Sequence, residues 1–361
     1  MSEPIAASVM ASLLPHAKVL VIRKDNIGDL VCTTPMIRAL RQHFPHIHLA
    51  ALVNSYNGPV LRGNPDLDAV HVYTKAKHRQ ADESLLGVYW RRLALMGRLR
   101  WLDYDLAILA NCSFVASSLG LARQMGPKRI LGFSNGSNPR LEARLTDPVP
   151  YHPDPQEHEV ERLAKLLVPL GIPEPMPAAR VYADEALLLR QRERLNEAWG
   201  SFPRPPIAIH ISARKVPQRW PAERFVALMR ALYQERGERF MLFWSPGEEN
   251  NPLHPGDDGK AREILAALSD VPVQPCPTAR LEELIAGLAC CGAMVCSDGG
   301  AMHLGAGLGL PIVCFFGNSD ARKWHPWGVP YELLQADSQD VNDISVAQAL
   351  EAYSRLQGRL A

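Results

Sequence analysis

Three short stretches carry side chains whose types and spacing suit group-transfer chemistry. The first, RKDNIGDLVCTTP (residues 23–35), joins the apolar run KVLVI (18–22) to the amphipathic MIRALRQHF (36–44). A strand, a turn and a helix in that order open a nucleotide-binding α/β unit. A dinucleotide fingerprint would place G-x-G-x-x-G here, yet this turn offers one glycine, Gly28, followed at once by Asp29. Gly28 lets the chain turn tightly. A carboxylate is a poor neighbour for a diphosphate and a good one for a hydroxyl that must lose its proton. At a helix N-terminus the dipole keeps Asp29 ionised; N-capping by Asp29 is the alternative.

The second stretch, AMVCSDGGAMHLGAGLGLPIVCFFG (293–317), reads strand, SDGG, helix, strand. Gly299 and Gly300 lack a Cβ, so a ligand can approach the backbone closely at a helix N-terminus, where unpaired N–H groups favour a phosphate. The structural alternative makes Asp298 a helix cap and His303 a first-turn residue bonded to a neighbouring loop. The third stretch, HISARKVPQRWPAERF (210–225), follows a strand and carries Arg214, Lys215 and Arg219 in its loop. Three cations at the carboxyl end of a strand suit a diphosphate leaving group; a solvated basic loop is the alternative. A further loop after a strand, WSPGEENN (244–251), offers Glu248 or Glu249 to ribose hydroxyls, or simply two surface acids.

Such stretches need strands and helices to position them. Strand patterns fall at 18–22, 47–53, 69–73, 105–110 and 129–133, with helices between them at 35–44, 83–101 and 113–125. After a proline-rich region, 157–172 reads as an amphipathic helix, and PEPMP (173–177) is a stiff connector. Strands at 206–212, 240–245, 293–297 and 311–317 then alternate with helices at 221–236, 259–269, 279–291 and 302–308, and a last helix occupies 343–357. Strands alternating with helices predict parallel sheets joined by right-handed crossovers. Two such halves predict an α/β protein with a ligand-binding cleft between them.

Composition narrows the class. The chain has 361 residues, enough for two domains, and its apolar fraction of 47% with 21% charged residues is that of a globular protein. A net charge of +1 gives no global field for nucleic acid. Seven cysteines without a C-x-x-C pair predict reduced thiols in the cytoplasm, not a metal cluster or disulfide frame. The N-terminal segment MSEPIAASVMASLLPHAK carries Glu3 and is broken by Pro15, so neither a signal peptide nor a membrane span is expected. D-x-D pairs at 66–68 and 103–105 are expected to be structural. The cations of KAKHR (75–79) with Arg91, Arg92, Arg98 and Arg100 suit either an anionic acceptor or a solvated face.

RKDNIGDLVCTTPMIRAL, RWPAERF and SDGGAMHLGAGLGLPIVCFFGNSDARKWHPWG (297–328) together resemble the heptosyltransferase family of glycosyltransferases, glycosyltransferase family 9. The resemblance runs from residue 18 to about 328. It implies a GT-B type fold of two Rossmann-like domains with parallel sheets facing across a cleft. An acceptor-binding domain would occupy residues 1–172 and a nucleotide-sugar domain 173–342, with a helix in 343–361 packing back onto the first. It further implies inverting, metal-independent transfer of a sugar, a heptose, from an ADP-linked donor to the core of lipopolysaccharide; the alternatives are the same fold with a different donor sugar or a glycan or protein acceptor, or a non-catalytic sugar-nucleotide-binding protein. No cofactor or metal is implied, and the site would be cytoplasmic, with peripheral contact at the inner membrane surface. Asp29 matches the proposed general base, with Gly28 and Thr34 on the acceptor side. On the donor side the resemblance places Ser212, Arg214, Lys215, Arg219, Glu249, Asp298, Gly299, Gly300, Ala301 and His303. Asp298 would bind sugar hydroxyls, residues 299–301 would offer N–H groups to the diphosphate, and Glu249 would contact the ribose. This chain departs from the family twice: Gln218 stands where a lysine is common, and Gly299 where Thr or Ser is common.

Overall fold

A computed structural model describes residues 16–74, 85–152, 154–201, 204–249 and 256–360. The chain divides into two units, Met1–Ala178 and Ala179–Ala361, so the boundary falls just beyond the proline-rich connector at 173–177. In the first unit, strands β1 (Lys18–Ile22), β2 (His48–Asn54), β3 (Ala69–Tyr73), β4 (Leu106–Leu109), β5 (Arg129–Ser134) and β6 (Asp147–Pro150) form a parallel sheet of order β3-β2-β1-β4-β5-β6. In the second, β7 (Ile207–His210), β8 (Phe240–Trp244), β9 (Val273–Pro277), β10 (Ala293–Ser297), β11 (Ile312–Phe316) and β12 (Tyr331–Gln335) give the order β12-β11-β10-β7-β8-β9. The chain order reverses between β1 and β4, and again between β7 and β10. These two switch points are where doubly wound sheets open a crevice at their carboxyl ends.

Strands β6, β9 and β12 are absent from the sequence-based reading, and all three are sheet edges. β6 (DPVP) and β9 (VQPCP) contain prolines, which demote a run in a sequence reading but are tolerated on an edge, where an N–H can be dispensed with. Helix Glu185–Trp199 was also not expected: it buries only Leu195, so it shows little apolar periodicity.

Trp220 fixes the basic loop after β7. Its side chain is fully buried against Phe225 and Phe315, at ring-centroid distances of 4.9 and 4.7 Å, and its Nε1 donates to Ile344 O at 2.9 Å. The terminal helix Val346–Gly358 shares that core through Ala349, Ala352, Tyr353 and Leu356. Residues 343–361 are thus grouped with the second unit. The helix's apolar face fits beside β11 and β12, and Glu332 of β12 pairs with Arg355 at 3.0 Å.

Candidate functional site

At the first switch point the loop after β1 is tied down by its neighbours. Asn54 Nδ2 donates to the carbonyls of Lys24 and Asp25 at 2.8 and 3.2 Å, and Asn57 Nδ2 donates to Asp25 O at 3.1 Å. The expected tight turn is itself helical: Ile27–Val31 forms a short helix, Asn26 is its N-cap, and Thr34–His43 follows. Gly28 therefore lies inside a helix, not at a positive-φ turn, which corrects the role expected of it. Asp29 is the third helical residue, and its Oδ2 accepts from Asn26 N at 3.1 Å and Asn26 Nδ2 at 3.0 Å. Asp29 is thus not the N-cap itself but closes a capping box on Asn26, and this occupies only one carboxylate oxygen.

The other oxygen meets Arg23. Arg23 Nη2 donates to Asp29 Oδ1 at 2.6 Å and to Glu159 Oε1 at 2.8 Å, its Nη1 donates to Ala110 O, and its Nε lies 3.2 Å from Asp25 Oδ2. Asn111 Nδ2 in turn donates to Asp25 Oδ2 at 2.7 Å. Ala110 and Asn111 follow β4, so this buried guanidinium bridges the two strand ends that flank the crevice. One cation faces three carboxylates here, which disfavours a bound diphosphate. Burial alone would raise the Asp29 pKa, but the charge and hydrogen bond of Arg23, with the bonds from Asn26, hold it below its ordinary 3.8. For Arg23 burial works against the charge, and Asp29, Glu159 and Asp25 outweigh it, so its pKa is raised. Thr34 is buried and its hydroxyl donates to Val31 O at 2.7 Å, a place in the helix joint and not on an acceptor surface.

At the second switch point three loops meet, after β10, β7 and β8. The loop after β10 presents Asp298, whose N–H donates to Phe315 O at 2.8 Å. Gly299 is the N-cap of helix Gly300–Gly307, with an extended backbone, and a Cβ placed there would meet no atom within 4 Å. The first-turn N–H groups of Gly300 and Ala301 follow it, and a helix start leaves such groups without intrahelical partners. His303 is buried, with its ring edge-on to Trp324 at 5.8 Å.

Gln218 lies on the β7 loop, buried, and donates from Nε2 to Asp298 Oδ2 at 2.9 Å and to Ser319 Oγ at 2.7 Å. Both amide protons are used, so this side chain ties the loops after β7, β10 and β11 together. Arg219 donates to Ala213 O at 3.0 Å and Glu249 Oε1 at 2.8 Å. Arg214 and Lys215 are exposed. Ser212 Oγ accepts from Ser245 N at 2.9 Å, linking the ends of β7 and β8.

Beside these loops lies a cavity of about 730 Å³ lined by Arg219, Glu223, Gly247, Glu249, Asp257 and Lys260, among others; Asp298 and the helix after it are not part of its wall. Its volume is in the range of small-molecule sites. Lys260 donates to Ile211 O at 3.2 Å and Trp220 O at 2.6 Å, and burial lowers its pKa to about 8. Burial raises the pKa of Asp257. Glu249, by contrast, has a 78% exposed side chain paired with Arg219, so Asp257 is the more buried acid of this wall.

Sequence reasoning missed Arg23, Asp25, Asn111, Glu159, Asp257 and Lys260. A charged residue directly after an apolar strand was a usable signal for Arg23, whereas nothing local marks Glu159, 136 positions away. The D-x-D pairs are structural, as expected: Asp68 accepts from Leu49 N at 2.7 Å and Asp105 from Lys18 N at 2.8 Å. Both sit at the amino ends of strands, opposite the crevices. Among the described residues no group of three or more His, Cys, Asp or Glu could hold a metal ion. The cations of residues 75–79 lie outside the described residues, as do Met1–Pro15.

Residues 92–353 match the model of glycosyltransferase family 9 (heptosyltransferase). The chain is 25% identical over 302 residues to lipopolysaccharide heptosyltransferase 3 of Escherichia coli K12, covering 83% of this chain and 82% of that protein. It is 26% identical over 318 residues to lipopolysaccharide heptosyltransferase 2 of Salmonella typhimurium, with 84% and 83% covered. Its fold is similar to that of a family 9 glycosyl transferase from Veillonella parvula, with TM-score 0.80, 18% identity and 95% and 97% of the chains covered. It is also similar to E. coli heptosyltransferase WaaC solved with ADP, with TM-score 0.74, 19% identity and 94% and 99% covered.

Proposed function

Since the chain belongs to glycosyltransferase family 9, the heptosyltransferases, and is therefore a glycosyltransferase, we propose that it moves a heptose from an ADP-linked donor to a hydroxyl of the lipopolysaccharide core. The transfer is a single displacement with inversion and needs no metal. The acceptor oxygen attacks the anomeric carbon, the bond from that carbon to the diphosphate breaks, and its electron pair leaves with the phosphate. The hydroxyl proton passes to Asp29. The observation that carries this reading is the contrast between the switch points: a carboxylate held ionised by Arg23 in the first unit, and a glycine-capped helix end with basic residues in the second.

Charge on the leaving diphosphate falls to Arg214, Lys215 and the N–H groups of Gly300 and Ala301. Asp298 orients the sugar, and Gln218 orients Asp298. The cavity beside Asp257 and Lys260 receives the nucleoside. A thermal-shift screen of ADP-, GDP- and UDP-sugars tests the donor, because a ligand at 100 times its Kd stabilises the fold by about 2.7 kcal/mol. Stabilisation by ADP-heptose alone is the expected result. Gln218 and Gly299 favour a second reading, in which the same fold takes a different donor sugar; stabilisation by another nucleotide sugar and not by ADP-heptose would select it.

Asp298→Ala should weaken the sugar nucleotide by roughly tenfold or more, the worth of hydrogen bonds to a charged group, and leave ADP little changed. Gln218→Ala should show the same pattern at smaller amplitude, since Asp298 stays but loses its guide. Equal losses for ADP and ADP-sugar in calorimetric titration would remove the sugar contact from Asp298.

A further inference from the structure

Helix Leu85–Trp101 is apolar on two sides. Met96 and Leu99 are buried in the core of the first unit, and Arg92 lies 5.8 Å from the centroid of the Tyr73 ring. On the opposite side, Trp90, Leu93 and Trp101 are 72%, 62% and 84% exposed, the most exposed large apolar side chains of the first unit's described residues. At 3.6 residues per turn, Trp90, Leu93, Ala94, Gly97 and Trp101 share one arc of about 100°. Exposed Arg91 and Arg98 border that arc on one edge and exposed Arg100 on the other. The helix has four arginines and no acidic residue.

We propose that this stripe docks the protein on an anionic membrane surface, with Trp90, Leu93 and Trp101 in the headgroup boundary and Arg91, Arg98 and Arg100 on lipid phosphates. Tryptophans prefer the level between headgroups and acyl chains, and arginines reach phosphates beside it. Charge selects this occupant over a second copy of the chain. A two-fold pairing of this face would set arginine-bordered edges against each other, and the helix itself carries no acid to answer them. The inference deepens the acceptor side of the proposed function and rests on that reading only for the membrane's identity. Vesicle binding needs neither donor nor acceptor, so the two can fail separately.

The test is flotation of the full chain with vesicles of phosphatidylglycerol and phosphatidylethanolamine, against phosphatidylcholine alone, in low and high salt. Binding should favour the anionic vesicles by roughly tenfold or more and weaken as salt screens the phosphates. Trp90→Glu with Trp101→Glu, and separately Arg98→Glu with Arg100→Glu, should each reduce binding by roughly tenfold, with the thermal melt and turnover of a water-soluble acceptor unchanged. Equal binding to neutral vesicles, no binding at all, or wild-type binding by both variants would overturn it. So would a concentration-dependent dimer that the tryptophan variant abolishes, which would assign the stripe to a second copy.

Discussion

Replacing Asp29 by asparagine should lower kcat by about 10²–10⁴-fold, the usual contribution of a positioned base, while the Kd for the donor stays unchanged. Asparagine keeps the shape and can still accept from Asn26 N, so the short helix Ile27–Val31 remains capped. What it cannot do is take the proton of an attacking hydroxyl. A base held below its ordinary pKa of 3.8 is weak in the ground state. In a displacement of this kind that is no handicap, because the attacking hydroxyl becomes strongly acidic only as its bond to the anomeric carbon forms. The depressed pKa also keeps Asp29 ionised throughout the neutral range, so no loss of activity from its protonation is expected above its ordinary pKa. Single-turnover kinetics with saturating donor separate the outcomes. An unchanged chemical step in Asp29→Asn would reduce Asp29 to a helix cap.

How much of this was legible in the sequence depends on the distance over which each feature is decided. The two parallel sheets and their domain boundary follow from local periodicity and a run of prolines, and the family motifs mark the loops at both switch points. The edge strands β6, β9 and β12 escaped because their identity depends on the neighbour they pair with, and two of them contain proline. Asp29 was visible since it follows a strand by a short turn. Its electrostatics were not, because Arg23, which pairs with it, is itself held by Ala110 O and Glu159 only once β4 and the helix Glu159–Ala164 are in place. Likewise Gln218 read as a lost cation; only the fold shows both its amide protons given to Asp298 and Ser319. The basic loop as a whole seemed a store of positive charge, yet Arg219 turns to Glu249 and a carbonyl. Side-chain direction within a loop has no sequence period to announce it.

Arg23→Met should destabilise the first unit by about 3–5 kcal/mol, the range for removing one partner of a buried ion pair, because Glu159 and Asp29 then keep their burial without their cation. Methionine fills similar volume, so the loss reports charge and not a cavity. The pH dependence carries the sharper test. In the wild type, the folded-state pKa of Asp29 is depressed, so its contribution to stability is present above its unfolded pKa and lost as pH falls through the folded one. Without Arg23, burial is the dominant influence left, and it raises the Asp29 pKa above the unfolded value. The sign then reverses: Asp29 destabilises the fold at neutral pH, and this penalty is relieved as pH falls through the raised pKa. Melting curves of Arg23→Met against wild type should therefore converge on acidification. The acid limb of kcat should move to higher pH in the same variant, since the base now protonates earlier. A parallel offset at every pH, with an unmoved acid limb, would show Arg23 to be a structural tie that leaves the base alone. Arg23→Lys should recover part of both effects, because one ammonium can serve Asp29 and Glu159 as Nη2 does but lacks the further nitrogens that hold Ala110 O and Asp25.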